Sequence, residues 1–178
     1  SKTDFISSLA DIVKFQDEPL ADPVSIPLFH VSQLARKNGV YVIQIGEGAD
    51  ELFSGYTLYS LMNKMNKRYF KPFSNLPSPL KMIGLKVAKV LFSSSKVNYL
   101  KLARDGKEFF WGGALVFNEY EKEYLYKSRT KFDTYSSFIE PFYKQFDKIH
   151  PNSSFIDRSI ALDMHHRLPE LLLMRADK

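Results

Sequence analysis

The chain has 178 residues, of which 44% are hydrophobic and 25% charged, with 25 Lys and Arg set against 20 Asp and Glu for a net charge of +5. That length buries a core of its own, and the composition excludes a disordered chain. Because there is no Cys, a disulfide framework, a thiolate zinc site and a thiol nucleophile are excluded as well.

In chain order, Asp4 is placed to cap a first helix that carries Phe5, Leu9, Ile12 and Val13 on one face. The stretch 16–23, QDEPLADP, breaks it with two prolines. Ser25 is placed to cap a second helix with Val31, Leu34 and Ala35 inward and Gly39 at its C-terminal end. The next run, VYVIQI at 40–45, is almost wholly apolar and β-branched, as a parallel strand covered on both faces must be. Helix, glycine, strand and a glycine-rich turn predict a βαβ unit, with a further helix from Ala49 or Asp50 bearing Leu52, Phe53 and Tyr56.

Beyond Tyr56 nearly everything reads as helix. Met62 and Met65 sit at helical spacing and are expected in the core. A proline-punctuated linker at 74–79 precedes a helix at 80–91 whose expected inward stripe is Leu80, Ile83, Val87 and Val90. Residues 93–95 read as a loop, Arg104-Asp105-Gly106 ends a short helix, Trp111-Gly112-Gly113 reads as a turn, and Asn118 as a cap. A helix near 134–149 is expected to kink at Pro141. A last helical segment runs from about Asp157, with Pro169 in the first turn of a terminal helix. His30 reads as structural, and Asp163 with His166 as a surface ion pair rather than a metal chelate.

The turn after the strand carries the chemistry. Gly46 and Gly48 let backbone N–H groups approach an anion without a Cβ in the way, at a helix N-terminus beyond the carboxyl end of a strand. Glu47, Asp50 and Glu51 place three carboxylates beside that cradle. They would repel a phosphate unless a cation intervenes, and Mg²⁺ bridges one or two carboxylates to phosphates. Glu51 is expected only to complement the helix N-terminus.

The eleven residues 46–56, GEGADELFSGY, resemble the second nucleotide-site motif of the asparagine synthetase family, G-E-G-(A/S)-D-E-(L/V)-F-G-G-Y, departing from it only at Ser54. Two further stretches resemble the same family in the same order: 17–35, DEPLADPVSIPLFHVSQLA, and 168–178, LPELLLMRADK. The resemblance implies an α/β, predominantly helical fold, in which a partial adenine-nucleotide α-hydrolase-like parallel sheet unit (1–56) is followed by a helical part (57–178). It implies part of an ATP-dependent amide synthetase of asparagine biosynthesis, in which a carboxylate such as aspartate is adenylated and then amidated by ammonia from a glutaminase domain. By position, Gly46 and Gly48 would make backbone contacts to ATP or AMP, Asp50 would bind Mg²⁺, and Glu47 would sit by the acyl carbon and position the nitrogen nucleophile or take its proton.

The family's N-terminal Ser-Gly-Gly-x-Asp-(Ser/Thr) loop has no counterpart here, nor has an N-terminal Cys nucleophile. The chain therefore reads as an internal fragment, inactive alone, whose uncovered apolar surface could support a homo-oligomer. Pro23 stands where the family often has an Arg, which leaves the identity of the carboxylate open. No apolar run reaches the ~18 residues that span a bilayer, and the N-terminus does not read as a signal peptide, so cytoplasm is the expected location. Lysines interleaved with aromatics over 64–148 support two other classes, a helical nucleic-acid-binding domain and a noncatalytic interaction module.

Overall fold

The computed structural model describes residues 2–16, 20, 22–110, 117, 122, 125, 126 and 133–176. Its described elements are helical. Helix α1 (Lys2–Phe15) packs on α2 (Ser25–Lys37). Ile12 is buried between them, Phe15 and Phe29 meet with ring centroids 6.1 Å apart, and Ser8 Oγ lies 3.2 Å from His30 Nε2. His30 is thus a packing residue, as expected. Asp4 lies inside α1 rather than capping it. Helix α2 starts from Asp22, whose Oδ1 accepts the Val24 N–H at 3.0 Å and whose carbonyl accepts the Ser25 hydroxyl at 2.7 Å. It ends in a Schellman motif: the Val40 and Gly39 N–H groups return to the Ala35 and Arg36 carbonyls, with Gly39 at φ 81°. Val31 and Leu34, expected inward, face solvent because no described element covers that side of α2.

The expected strand at 40–45 is not formed among the described residues. No described segment lies alongside to pair its N–H and C=O groups, and a strand exists only through such pairing. Val40, Tyr41, Val42, Ile43 and Ile45 are all exposed, Val42 to 80%. The short α3 (Ala49–Phe53) follows, then α4 (Thr57–Met65), a π-helical turn (Asn66–Phe70), α5 (Lys71–Ser74), α6 (Ser78–Leu91) and α7 (Ser94–Arg104). A second π-helical turn (Tyr135–Ile139) leads into α8 (Glu140–Ile149), and α9 (Phe155–Leu162) runs on into a π-helical stretch, Asp163–Leu173.

Each π-helical segment adjoins or contains a proline: Pro72, Pro141 and Pro169. A proline ring clashes with the carbonyl four residues back, and a wider turn relieves that clash without ending the helix. Pro141 therefore marks a widened turn, and Pro169 lies inside a continuous stretch rather than opening a new helix. Residues 93–95 are a helix start, with Ser93 as the cap residue, instead of a loop. Arg104 ends α7 as expected, with Gly106 at φ 69° and the Lys107 N–H returned to the Leu102 carbonyl. The Trp111 turn and the Asn118 cap lie outside the described residues.

Helix α6 turns the opposite face inward from the one expected. Leu85 and Ala88 are buried, and Gly84 lets Phe73 of α5 approach so closely that a Cβ there would stand 3.0 Å from its Cε2. Leu80, Ile83, Val87 and Val90 face out. Apolar residues occur around most of α6, so periodicity alone selects no face; the small residues that permit close approach do.

The core is aromatic. Phe70 stacks on Phe109 at 3.8 Å, Phe109 stacks on Phe155 at 5.6 Å, and Tyr59 meets Phe110 edge-on at 5.9 Å. Met62 and Met65 pack against this cluster, as expected. Next to it Tyr135, Ile139, Tyr143 and Leu162 form a second cluster that joins α8 to α9. Ser154 and Asp157 close a capping box at the start of α9.

Candidate functional site

The chain enters the site through Gly46, Glu47 and Gly48. Gly46 has open space where a Cβ would point, whereas Gly48 is required by its conformation, φ 93°, and by Leu168, whose Cδ atoms lie 3.2 and 3.3 Å from the position a Cβ would take. Leu168 opens the LPELLLMRADK segment, so two of the three segments singled out in the sequence pack directly on one another. The Gly55 N–H bonds the Asp50 carbonyl at 2.8 Å, and a Cβ on Gly55 would overlap Asp50 Oδ1. Ser54, between them, holds a left-handed conformation (φ 55°, ψ 40°). A glycine takes that conformation with least strain, which accounts physically for the glycine in the family pattern at this one divergent position.

The three carboxylates have three different surroundings. Glu51 is only 1% exposed. Its Oε1 accepts the Tyr56 hydroxyl at 2.7 Å and faces Arg167 Nη1 at 3.4 Å, while the Arg167 guanidinium lies 4.9 Å over the Tyr56 ring. Glu51 is thus an internal anchor of the fold, not an exposed complement to the helix dipole. Burial, then the hydrogen bond to Glu51, raises the Tyr56 hydroxyl above its ordinary value. One turn on, Tyr59 donates to the buried Asp163 and is raised likewise, by burial first. Asp163 is therefore occupied inside the core, and His166 lies elsewhere, against Phe138 at 4.5 Å, so the two form neither a chelate nor the expected surface ion pair.

Glu47 has a partner of another kind. Arg175, with its side chain only 8% exposed, donates from Nη2 to Glu47 Oε1 at 2.8 Å and from Nη1 to Asp22 Oδ2. One guanidinium thereby joins all three segments: 17–35 through Asp22, 46–56 through Glu47 and 168–178 through its own backbone. The Asp50 side chain is exposed and makes no hydrogen bond or ion pair among the described residues, which leaves both of its carboxylate oxygens open to a cation. A cavity of about 220 Å³ opens beside the Glu51 anchor, lined by Tyr56, Thr57, Leu58, Tyr59, Phe110 and Arg167.

Among the described residues no group of three or more His, Cys, Asp or Glu converges as a complete metal site. Mg²⁺ needs no such cage. It binds through one or two carboxylates with phosphates and water completing the octahedron, and the single exposed Asp50 suits that mode.

The family described as Asparagine synthase matches residues 1–178. The chain belongs to the asparagine synthase family. It is 32% identical to asparagine synthetase (glutamine-hydrolysing) 1 of Bacillus subtilis over 182 aligned residues, covering 100% of this chain and 27% of that protein. It is 40% identical over 119 residues to a putative asparagine synthetase (glutamine-hydrolysing) of Mycobacterium bovis, 67% of this chain and 16% of that relative. A putative asparagine synthetase 2 (glutamine-hydrolysing) of Methanocaldococcus jannaschii is 37% identical over 71 residues, 40% of this chain and 13% of the relative. The chain thus spans little more than a quarter of the length of these family members at most. No solved structure matches it.

Sequence reasoning placed Tyr56 only on the helix that follows the turn and gave Arg167, Asp22 and Arg175 no role of their own. The partners of Arg175 lie 128 and 153 residues away, so nothing local announces them.

Proposed function

We propose that this chain supplies one half of an ATP site in an amide synthetase that adenylates a carboxylate, aspartate or an analogue, and passes the acyl group to ammonia drawn from glutamine. In this reading Gly46 and Gly48 offer backbone N–H groups to the nucleotide phosphates, and Asp50 holds Mg²⁺. The cation, when bound, neutralises charge on the departing pyrophosphate. Glu47 orients the nitrogen nucleophile at the acyl carbon or accepts its proton. The uncovered apolar segment 40–45 takes its place as an inner strand of a parallel sheet completed by other chain, with the Gly46–Gly48 turn at the strand's carboxyl end, where such sheets bind ligands. The isolated 178-residue chain is inactive in this account, and the whole protein works in the cytoplasm.

The observation that carries the proposal is the separation of roles among the three motif carboxylates. Glu51 is buried on Arg167, Glu47 is held by Arg175, and Asp50 is exposed with no described protein partner. Against the nucleic-acid reading, Phe70, Tyr99, Phe109 and Phe110 pack on one another in the core rather than forming a stacking surface, while Tyr69, Phe92, Phe117, Tyr126 and Phe138 of the same stretch are exposed. The test is pyrophosphate release from ATP by the full-length protein with Mg²⁺ and aspartate or an analogue. Release that requires the carboxylate is expected; binding to RNA without any affinity for Mg-ATP would contradict the proposal.

A further inference from the structure

Arg175 is shared between two acids, Asp22 and Glu47. It lies in the turn that follows the Asp163–Leu173 stretch, with the Ala176 N–H returned to the Leu173 carbonyl at 2.9 Å. Its side chain is 8% exposed, and its Nε has no hydrogen-bond partner among the described residues. Burial works to lower its pKa, yet the hydrogen bonds to Glu47 and Asp22 outweigh it and raise the value further. A guanidinium is kept in such a place when its fork geometry is needed.

Asp22 is fixed at both oxygens: Oδ1 takes the Val24 N–H that starts α2, and Oδ2 takes Arg175 Nη1. Arg175 is therefore anchored on the entry to α2 before it reaches Glu47. Its second nitrogen takes Glu47 Oε1 at 2.8 Å, and Glu47 Oε2 has no partner among the described residues. The carboxylate is thus held by one oxygen and presents the other.

We infer that Arg175, anchored by Asp22, is a positioning residue that fixes the Glu47 carboxylate so that its Oε2 faces the nitrogen nucleophile in the amide-forming step. This inference rests on the role proposed for Glu47. Arg175 touches no reacting atom and acts through Glu47, so its removal disturbs amide formation more than adenylation. A misplacement of about 1 Å at a reacting group costs on the order of 10²-fold. Lysine keeps the charge but cannot span two carboxylates from one planar fork.

The experiment uses the full-length protein with ATP, Mg²⁺, aspartate and ammonium chloride, and compares Arg175→Lys, Asp22→Asn and Glu47→Gln. Pyrophosphate release is measured as the first-turnover burst, before the acyl-adenylate held on the enzyme limits it, amide formation is measured as the steady-state rate at saturating ammonia, and unfolding is measured on the same samples. Arg175→Lys is expected to keep pyrophosphate release within about threefold while amide formation falls by roughly 30- to 100-fold. Asp22→Asn is expected to show the same split, more weakly. Wild-type amide formation in Arg175→Lys with an impaired Glu47→Gln overturns the inference and leaves the role of Glu47 standing; an unimpaired Glu47→Gln overturns that role itself. Equal loss of both steps in a normally folded Arg175→Lys also overturns the inference. Independently of turnover, the unfolding constant of the Arg175→Lys/Glu47→Gln double variant should differ from the product of the single effects by about tenfold. Simple multiplication would mean that the two side chains are not coupled, and would overturn it as well.

Discussion

Arg167→Met removes the charge that faces Glu51 while keeping a long apolar side chain against Tyr56. Glu51 is 1% exposed, so its carboxylate cannot turn to water, and the variant leaves it with the Tyr56 hydroxyl at 2.7 Å as its donor among the described residues. Breaking a buried ion pair from one side costs about 3–5 kcal/mol. The lower end applies, because the Arg167 contact is long at 3.4 Å and the Tyr56 bond survives. Loss of the guanidinium over the Tyr56 ring adds up to about 1 kcal/mol. A loss of about 3 kcal/mol lowers the melting midpoint of a chain this size by roughly 6–12 °C. Thermal denaturation followed by circular dichroism measures it, and pairing Arg167→Met with Glu51→Gln should recover part of the loss. A shift under about 2 °C for Arg167→Met would refute the view that Glu51 and Arg167 lock the motif helix onto the C-terminal stretch.

Two further substitutions test local parts of the structure. Ser54→Gly removes a left-handed strain of about 1–2 kcal/mol, of which the extra chain entropy of glycine returns about 0.5–1, so stability should rise by roughly 0.5–1 kcal/mol. A urea midpoint that moves down instead would contradict the strain argument. Burial pushes the Glu108 carboxyl up to about 7 despite Arg158 at 3.0 Å, and the negative charge of Asp147 adds to the rise. The folded state then binds more protons than the unfolded state between the ordinary carboxylate value and about 7. Stability from this group is full below that window and falls as pH rises through it, by a few kcal/mol at most. Glu108→Gln should flatten the decline measured between pH 5 and 8, and an unchanged slope would place the titration elsewhere.

What the sequence made legible was what local chemistry decides. Gly39 after a helix meant a left-handed C-terminal cap, and Gly48 meant a turn no other residue fills. Ser54 stood out as the one departure in its motif, and the backbone there explains why. The inner face of α6 was not legible, since its apolar residues run around the helix and the choice falls to Gly84, Ala88 and the shape of Phe73. The strand predicted at 40–45 is not formed among the described residues for a related reason: apolar β-branched residues announce a segment that needs covering, but not that the cover lies within the same stretch of chain. Arg175 could be read as a basic position and no more, because its meaning lies in Asp22 and Glu47, which only the fold brings to it.

The central claim is that Asp50, exposed and without a described protein partner, holds the divalent cation of an adenylating site. Its most direct test is pyrophosphate release by the full-length Asp50→Asn protein across a range of Mg²⁺ concentrations. The account predicts that adenylation is lost by at least 10²-fold and is not restored by raising Mg²⁺. Near-normal release, with an unchanged dependence on Mg²⁺, would contradict it.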